Sequence, residues 1–217
     1  MPFSLSRCVA LQTPRPAEAL EFYRSQLDMR FVGDLRGTEL AAGGLRFFID
    51  PGNPRLLFEL ETADLSVARR EIGALGLELV EWGGPDRANL VVDPFGLMWN
   101  VYEAPPGTLE PLEEDALVML KLGLNTHRRA DAAEYYARLL DVPVTFSGPA
   151  AILDSGPVRL RIEPGLPEGP VLWVRPGTDM TRLGGAIHAT AVTDPFGVRW
   201  RVSPGAKSDL AAVTELP

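Results

Sequence analysis

A four-residue turn occurs twice in this chain. Asp93-Pro94-Phe95-Gly96 recurs as Asp194-Pro195-Phe196-Gly197, 101 residues later. Each copy opens a similar strand, Leu97-Met98-Trp99-Asn100-Val101 and Val198-Arg199-Trp200-Arg201-Val202. A second anchor lies upstream, where residues 8–29 match residues 121–142 at nine of 22 positions with an offset of 113, including Leu11/Leu124, Tyr23/Tyr136 and Asp28/Asp141. Self-similarity of this kind means two copies of one folding unit. The offset falls from 113 to 101 between the anchors, so the second copy is 12 residues shorter there. We expect a first domain over 1–104, a Pro/Gly-containing acidic linker over 105–115, a shortened second domain over 116–204, and a tail over 205–217.

Each domain is near 100 residues, enough for a core without covalent staples. The single cysteine, Cys8, excludes a disulfide within the chain. It suits a reducing compartment, and we expect a cytoplasmic protein. The N-terminus lacks the pattern of a signal peptide, and no apolar stretch approaches the ~20 residues that span a membrane. The net charge is −8 with no basic aromatic stripe, which excludes nucleic acid as the expected partner.

Periodicity sorts the residues onto two faces. Cys8–Thr13 alternates as a strand, and Ala19, Leu20, Tyr23 and Leu27 share one face of a helix from about Pro16 to Leu27. A sheet buries its apolar side under its helices. Val9, Leu11, Leu45, Phe47, Ile49, Trp99 and Val101 therefore face the helices, which makes Trp99 a core residue, and Trp200 likewise. Cys8, Ala10, Gln12, Arg46, Phe48, Asp50, Met98, Asn100 and Tyr102 face away. A second helix fits about Asp64–Leu75. In domain two, Leu122, Leu124, Val158, Leu160, Ile162 and Val202 face the helix, while Lys121, Gly123, Asn125, Arg159, Arg161, Glu163, Arg199 and Arg201 face away. Its second helix is poor, because Thr178–Ala186 is short and holds Gly184-Gly185, so the missing residues are expected there.

Strand, helix, then strands closing on Asp-Pro-Phe-Gly, with the Phe22-Tyr23 and Tyr135-Tyr136 pairs in the helices, resembles the vicinal oxygen chelate superfamily. That group includes glyoxalase I, bleomycin-resistance proteins, fosfomycin-resistance enzymes and extradiol dioxygenases. The resemblance covers about 1–104 and 116–204. It implies an α+β fold of tandem paired βαβββ modules, forming U-shaped mixed sheets with helices on the outer face. It also implies that the faces turned away from the helices line a cleft. Metal-dependent members take ligands at positions that match Cys8, about Phe48, about Leu57 and Asn100 in domain one, and Lys121, about Arg161, about Leu172 and Arg201 in domain two. A divalent ion needs imidazole, carboxylate or thiolate donors. This set lacks them, so we expect no metal and no cofactor.

The candidate ligand-binding residues are Cys8, Gln12, Arg46, Phe48, Leu57, Met98, Asn100 and Tyr102 in domain one, a mostly apolar set with a few polar groups, as small-molecule sites require. Lys121, Asn125, Arg161 and Arg201 are the candidates in domain two. They read either as an anion-binding cleft, since arginine forks match carboxylate and phosphate, or as a collapsed face whose arginines pair with Glu163. His127 reads as a solvated loop residue and His188 as a strand residue. Neither has a carboxylate placed beside it, so no triad is argued, and no catalytic residue is assigned. The expected function is metal-independent binding of an organic small molecule, aromatic or anionic, in the domain-one cleft or between domains, as in the bleomycin-resistance group. The alternative is a lyase, isomerase or dioxygenase of the same superfamily, for which Asp50, Glu59 or Tyr102 would have to serve as acid or base. Domain two would act as a built-in partner, an intramolecular pseudo-dimer, with homodimerisation left open.

Overall fold

The structure, a computed structural model, describes residues 3–32, 38–42, 45–85, 87–104, 121–155, 158–167, 169–174, 177–184, 186–188 and 191–202, with the backbone alone for Ala42, Lys121 and 186–188. The expected linker and tail, and the side chain of His188, lie outside the described residues.

The first repeat runs β1 (Ser4–Thr13), α1 (Pro16–Gln26), β2 (Arg30–Phe31), β3 (Glu39–Ala42), β4 (Leu45–Pro51), β5 (Arg55–Thr62), α2 (Leu65–Glu71), β6 (Glu78–Trp82), β7 (Asn89–Val92) and β8 (Met98–Glu103). These strands form one sheet in the order β2-β3-β4-β1-β5-β8-β7-β6. Within it β1 is parallel to β4 and β5 to β8, while β1 and β5 run antiparallel at the centre. Two βαβββ units are thus joined through their first strands. The second repeat runs β9 (Lys121–Thr126), α3 (Arg129–Leu140), β10 (Val144–Ser147), β11 (Ala150–Ser155), β12 (Val158–Pro164), β13 (Pro170–Val174), a 3-10 turn (Met180–Leu183), β14 (Ala186–His188), β15 (Ala191–Thr193) and β16 (Arg199–Val202). Its sheet order, β10-β11-β12-β9-β13-β16-β15-β14, repeats the first strand for strand.

Local sequence explains the helices. Pro16 opens α1, where its missing N–H costs nothing. The Asp64 carboxylate caps α2, accepting from the backbone N–H of Ser66 at 2.7 Å and Val67 at 3.0 Å. The repeated Leu-Asp pair ends the first helix of each domain, with Asp28 at φ 52 and Asp141 at φ 54. This is the left-handed region that aspartate tolerates better than most side chains. The shortening of domain two falls where expected. Phe58 and Leu172 hold equivalent places in the β1/β5 and β9/β13 pairings, 114 apart, whereas Asp93 and Asp194 are 101 apart, so 13 residues are lost between those points. The α2 segment is replaced by the single 3-10 turn.

The inward phase holds: Val9, Leu11, Phe47, Ile49, Trp99, Val101, Leu122, Leu124, Leu160, Ile162 and Trp200 are all buried. They belong to a single apolar cluster drawn from both domains. Two reciprocal clasps hold the halves together. The Asp194 carboxylate accepts from the backbone N–H of Phe196 (2.8 Å) and Val198 (3.0 Å), from Trp200 Nε1 (2.7 Å), and from the hydroxyl of Tyr23 in α1 of the other domain (2.6 Å). Asp93 repeats this with Phe95 N (2.8 Å), Leu97 N (3.0 Å), Trp99 Nε1 (2.8 Å) and the hydroxyl of Tyr136 in α3. Burial pushes both carboxyls up against the pull of these four donors. Gly96 and Gly197 close the turns at φ 82 and 85, a backbone that glycine adopts without strain. The repeated turn is therefore an interdomain device as much as a strand opener.

Candidate functional site

The faces turned away from the helices are built in rows by strand register. In domain one, Gln12 on β1 is flanked by Asp50 on β4 and Arg55 on β5. The next row is apolar: Phe48, Ala10, Leu57 and Met98, with Ala10, Leu57 and Leu90 buried as a small cluster of their own. The row after it is polar, with Arg46 beside Cys8 on one side and Glu59 beside Asn100 on the other. Between Leu5 and Val9 the pairing of β1 with β5 shifts, so that Ser6, Arg7 and Cys8 stand opposite Glu59 alone. Such a bulge re-aims side chains. Here it brings the Ser6 hydroxyl to Tyr102 Oη at 2.8 Å, while Tyr102 donates to Glu61 at 2.6 Å.

Glu59 is the centre of this face. Its Oε1 accepts from Asn100 Nδ2 at 3.2 Å. Burial, opposed by hydrogen bonds from Asn100 and Cys8 and aided by the charges of Asp50 and Glu61, pushes its carboxyl up to about 7. Burial, with the charge of Glu59 next, pushes the Cys8 thiol up to about 12. Tyr102 is also raised, by burial and by its bond to Glu61. Arg46 forms an ion pair with Glu39 at 3.1 Å. Gln12 accepts from Arg55 Nε, and Arg55 Nη1 lies 3.5 Å from Met98 Sδ. The eight domain-one candidates thus share one concave face. The register corrects two alignments: the residues in line with Cys8 and Asn100 are Arg46 and Glu59, each two places from the expected Phe48 and Leu57, which lie in the apolar row.

In domain two the corresponding row is Lys121, Trp173 and Arg201, so Trp173 replaces the expected Leu172, which points into the core. Trp173 is buried, with the guanidinium carbons of Arg161 and Arg201 at 5.1 and 5.8 Å from its ring. Glu163 ties the two arginines, at 2.8 Å to Arg161 Nε and 3.1 Å to Arg201 Nη1. Arg201 also donates to Asn125 Oδ1 at 3.4 Å. The indole lies against Gly123, where a Cβ would come within 2.4 Å of Trp173 Nε1. This face is filled by its own side chains. The side chain of Lys121 lies outside the described residues, and His127 is exposed in a turn as expected.

A cavity of about 410 Å³ lies between the domains, at the end of the domain-one face. Equivalent positions of both repeats line it, Leu56 with Pro170, Gly96 with Gly197 and Met98 with Arg199, together with Arg55. Arg55 carried no sequence signal, because a lone arginine at a strand start is ordinary until register places it beside a cavity.

Two sheets of paired βαβββ units with reciprocal packing define the tandem vicinal oxygen chelate fold. Solved structures of that fold superpose on nearly the whole chain. The Mn(II)-bound glyoxalase from Novosphingobium aromaticivorans matches with a TM-score of 0.57 and 16% identity, over 92% of this chain and 81% of that one. A variant of homoprotocatechuate 2,3-dioxygenase from Brevibacterium fuscum matches with a TM-score of 0.58 and 16% identity, over 93% and 72%. The 2,2',3-trihydroxybiphenyl 1,2-dioxygenase from Sphingomonas wittichii matches with a TM-score of 0.52 and 13% identity, over 93% and 90%. No protein-family model and no curated protein matches the sequence. Among the described residues no helix is long and apolar enough to cross a membrane.

The Mn(II) of that glyoxalase does not fit the residues present here. Among the described residues, no group of three or more His, Cys, Asp or Glu is placed to hold an ion. The Asn100 amide oxygen accepts the backbone N–H of Asn89 at 3.0 Å, which turns its NH2 toward Glu59. That leaves a donor where a ligand atom would be needed. Burial and the charge of Glu59 push the Cys8 thiol up, so a thiolate ligand would have to form against both. Glu59 alone remains as an anionic donor in the row.

Proposed function

We propose that this chain is a metal-independent small-molecule-binding protein of the vicinal oxygen chelate fold. It takes an organic ligand on the concave face of domain one, where that face meets the interdomain cavity. The observation that carries this reading is the orientation of Asn100, which presents N–H rather than oxygen at a metal-ligand position. The apolar floor of Ala10, Leu57 and Leu90, edged by Phe48 and Met98, supports an organic ligand. The dioxygenases of this fold named for homoprotocatechuate and trihydroxybiphenyl support an aromatic one. Domain two, its own face filled, serves as the built-in partner. With a single buried cysteine, we place the protein in the cytoplasm.

Thermal-shift screening against Mn2+, Fe2+ and Zn2+ and a library of organic compounds tests the reading. A compound at 100 times its Kd stabilises by about 2.7 kcal/mol. A metal-only shift that disappears in Asn100→Ala would sink metal independence. Glu59 favours a second reading: a carboxyl poised near neutrality between a thiol and an amide can move a proton. As an enzyme, Glu59→Gln would lose turnover and keep affinity. As a binder, it would change affinity alone.

A further inference from the structure

Met98 belongs to two places at once. On β8 it ends the apolar row of domain one, packed against the buried Ala10, Leu57 and Leu90. It also lines the interdomain cavity, beside Gly96 of the turn that precedes it. Its side chain is half-buried, and its sulfur lies 3.5 Å from Arg55 Nη1, another group of the cavity wall. The stem therefore stays with the row while the thioether end reaches the cavity. Phe48, at the other end of the row, does not line the cavity. The face and the cavity meet at Met98.

The cavity has room at its rim and a mixed wall. A Cβ on Gly96 or Gly197 would meet no heavy atom within 4 Å. Leu56, Pro170 and Val198 supply apolar surface, and Arg55 and Thr193 supply hydrogen-bond donors. Arg199, also in the wall, is already engaged within the chain. The volume of about 410 Å³ lies within the usual range of small-ligand sites, ~300–1,000 Å³. Methionine is unbranched, with three rotatable bonds, and it refits to new shapes at little cost. Such a residue at the junction of two spaces decides how much of the second space a ligand uses. We propose that Met98 is the specificity-determining residue of the domain-one site, and that the ligand has two parts: a flat ring on the apolar row and an unbranched, uncharged tail that passes Met98 into the interdomain cavity. An ether tail, apolar along most of its length and carrying an acceptor, matches the mixed wall. The inference rests on the small-molecule-binding reading and names the form of its ligand and the side chain that selects it.

A series of 4-alkoxyphenols from methoxy to octyloxy, uncharged at neutral pH, tests it by calorimetry on the full chain. The proteins compared are wild type, Met98→Ala and Met98→Phe, with melting temperatures to show that each is folded. In wild type the affinity should rise by ~2- to 4-fold per methylene, the worth of a buried CH2, up to a limiting length. Met98→Ala should move that limit to longer tails by about three methylenes, the number of heavy atoms removed. Met98→Phe, stiffer and wider, should move it to shorter tails. A loss of packing alone would weaken the whole series and leave the limit in place. If Met98→Ala does not fold, the direction of the shift in Met98→Phe decides. An unchanged limit in every variant that folds, or an affinity independent of tail length in wild type, overturns the role of Met98 and leaves the binding reading standing. Failure of the whole series in a protein that other organic compounds stabilise overturns the two-part ligand. If the series and a broad library of organic compounds all fail to bind, the binding reading itself falls.

Discussion

At the centre of its concave face domain one carries Glu59, and domain two carries Trp173, 114 positions on. Around them the other positions diverge together. Ala10 becomes Gly123, which gives the indole room; Phe48 becomes Arg161, Asn100 becomes Arg201 and Asp50 becomes Glu163. One face keeps a carboxyl near neutrality over an apolar floor. The other packs a tryptophan against two arginines that share Glu163. From Ala10 and Gly123 to Gln12 and Asn125 the backbone register is the same, so there the difference lies in side chains. A duplicated fold can keep one face for a ligand and turn its copy into core.

The convex sides show the opposite behaviour, since the Asp–Trp–Tyr clasps are the same in both directions. The largest expected effect is therefore on them. Asn at position 93 or 194 keeps an oxygen for the two backbone donors but turns an NH2 toward the indole N–H. We expect Asp93→Asn and Asp194→Asn each to cost about 2–6 kcal/mol, because the buried indole N–H and tyrosine hydroxyl lose their shared acceptor, and to lower the melting temperature by at least ~4 °C. The two losses should agree within about 1 kcal/mol. A large inequality in thermal melts would break the symmetry on which the comparison rests.

The filled face of domain two gives the next effect. A methyl at Gly123 meets Trp173 Nε1 at 2.4 Å and the Val171 carbonyl oxygen at 3.1 Å. Gly123→Ala should cost about 1–3 kcal/mol through overpacking. The reciprocal Ala10→Gly in domain one should cost only about 0.5–1 kcal/mol, the ordinary penalty of glycine in a strand. Urea denaturation of both variants tests this. Equal costs would mean that Trp173 can leave the face, and that domain two is closed by occupancy rather than by fit.

What the sequence shows of this arrangement follows from what alternation can encode. Period and repeat locate both sheets, the helix-facing residues, the burial of Trp99 and Trp200, and the shortened segment that became a 3-10 turn. They also bring Cys8, Phe48, Met98, Asn100 and Tyr102 to one face, because a residue's side of a strand depends on parity alone. The register of β1 against β5 is not encoded in parity, and it decides that Glu59 rather than Leu57 stands level with Cys8. Trp173 and Arg55 depend on register between strands, which one chain does not display. The Tyr23–Asp194 and Tyr136–Asp93 bonds join residues 171 and 43 positions apart. Each motif was visible separately, but their meeting depends on how the two sheets pack.

Glu59 provides the smallest and most specific test of the difference between the faces, because its counterpart Trp173 does not titrate. The Glu59 carboxyl is raised from 4.5 to about 7 in the folded chain. Below pH ~4.5 it is protonated whether the chain is folded or not, and it adds no pH dependence. Between ~4.5 and ~7 the folded state holds a proton that the unfolded chain has released. Stability therefore falls as pH rises through that window, and it levels off above it. The shift bounds the effect at about 3 kcal/mol, and solvent screening of a half-buried side chain brings the expectation nearer ~1 kcal/mol. Glu59→Gln keeps an oxygen for Asn100 Nδ2 and removes the titration. Urea melts at pH 5, 6, 7 and 8 should show the variant gaining on wild type up to pH 7 and holding a constant lead at pH 8. Parallel curves across the series would place the carboxyl in water, and domain one would lose the feature that sets its face apart.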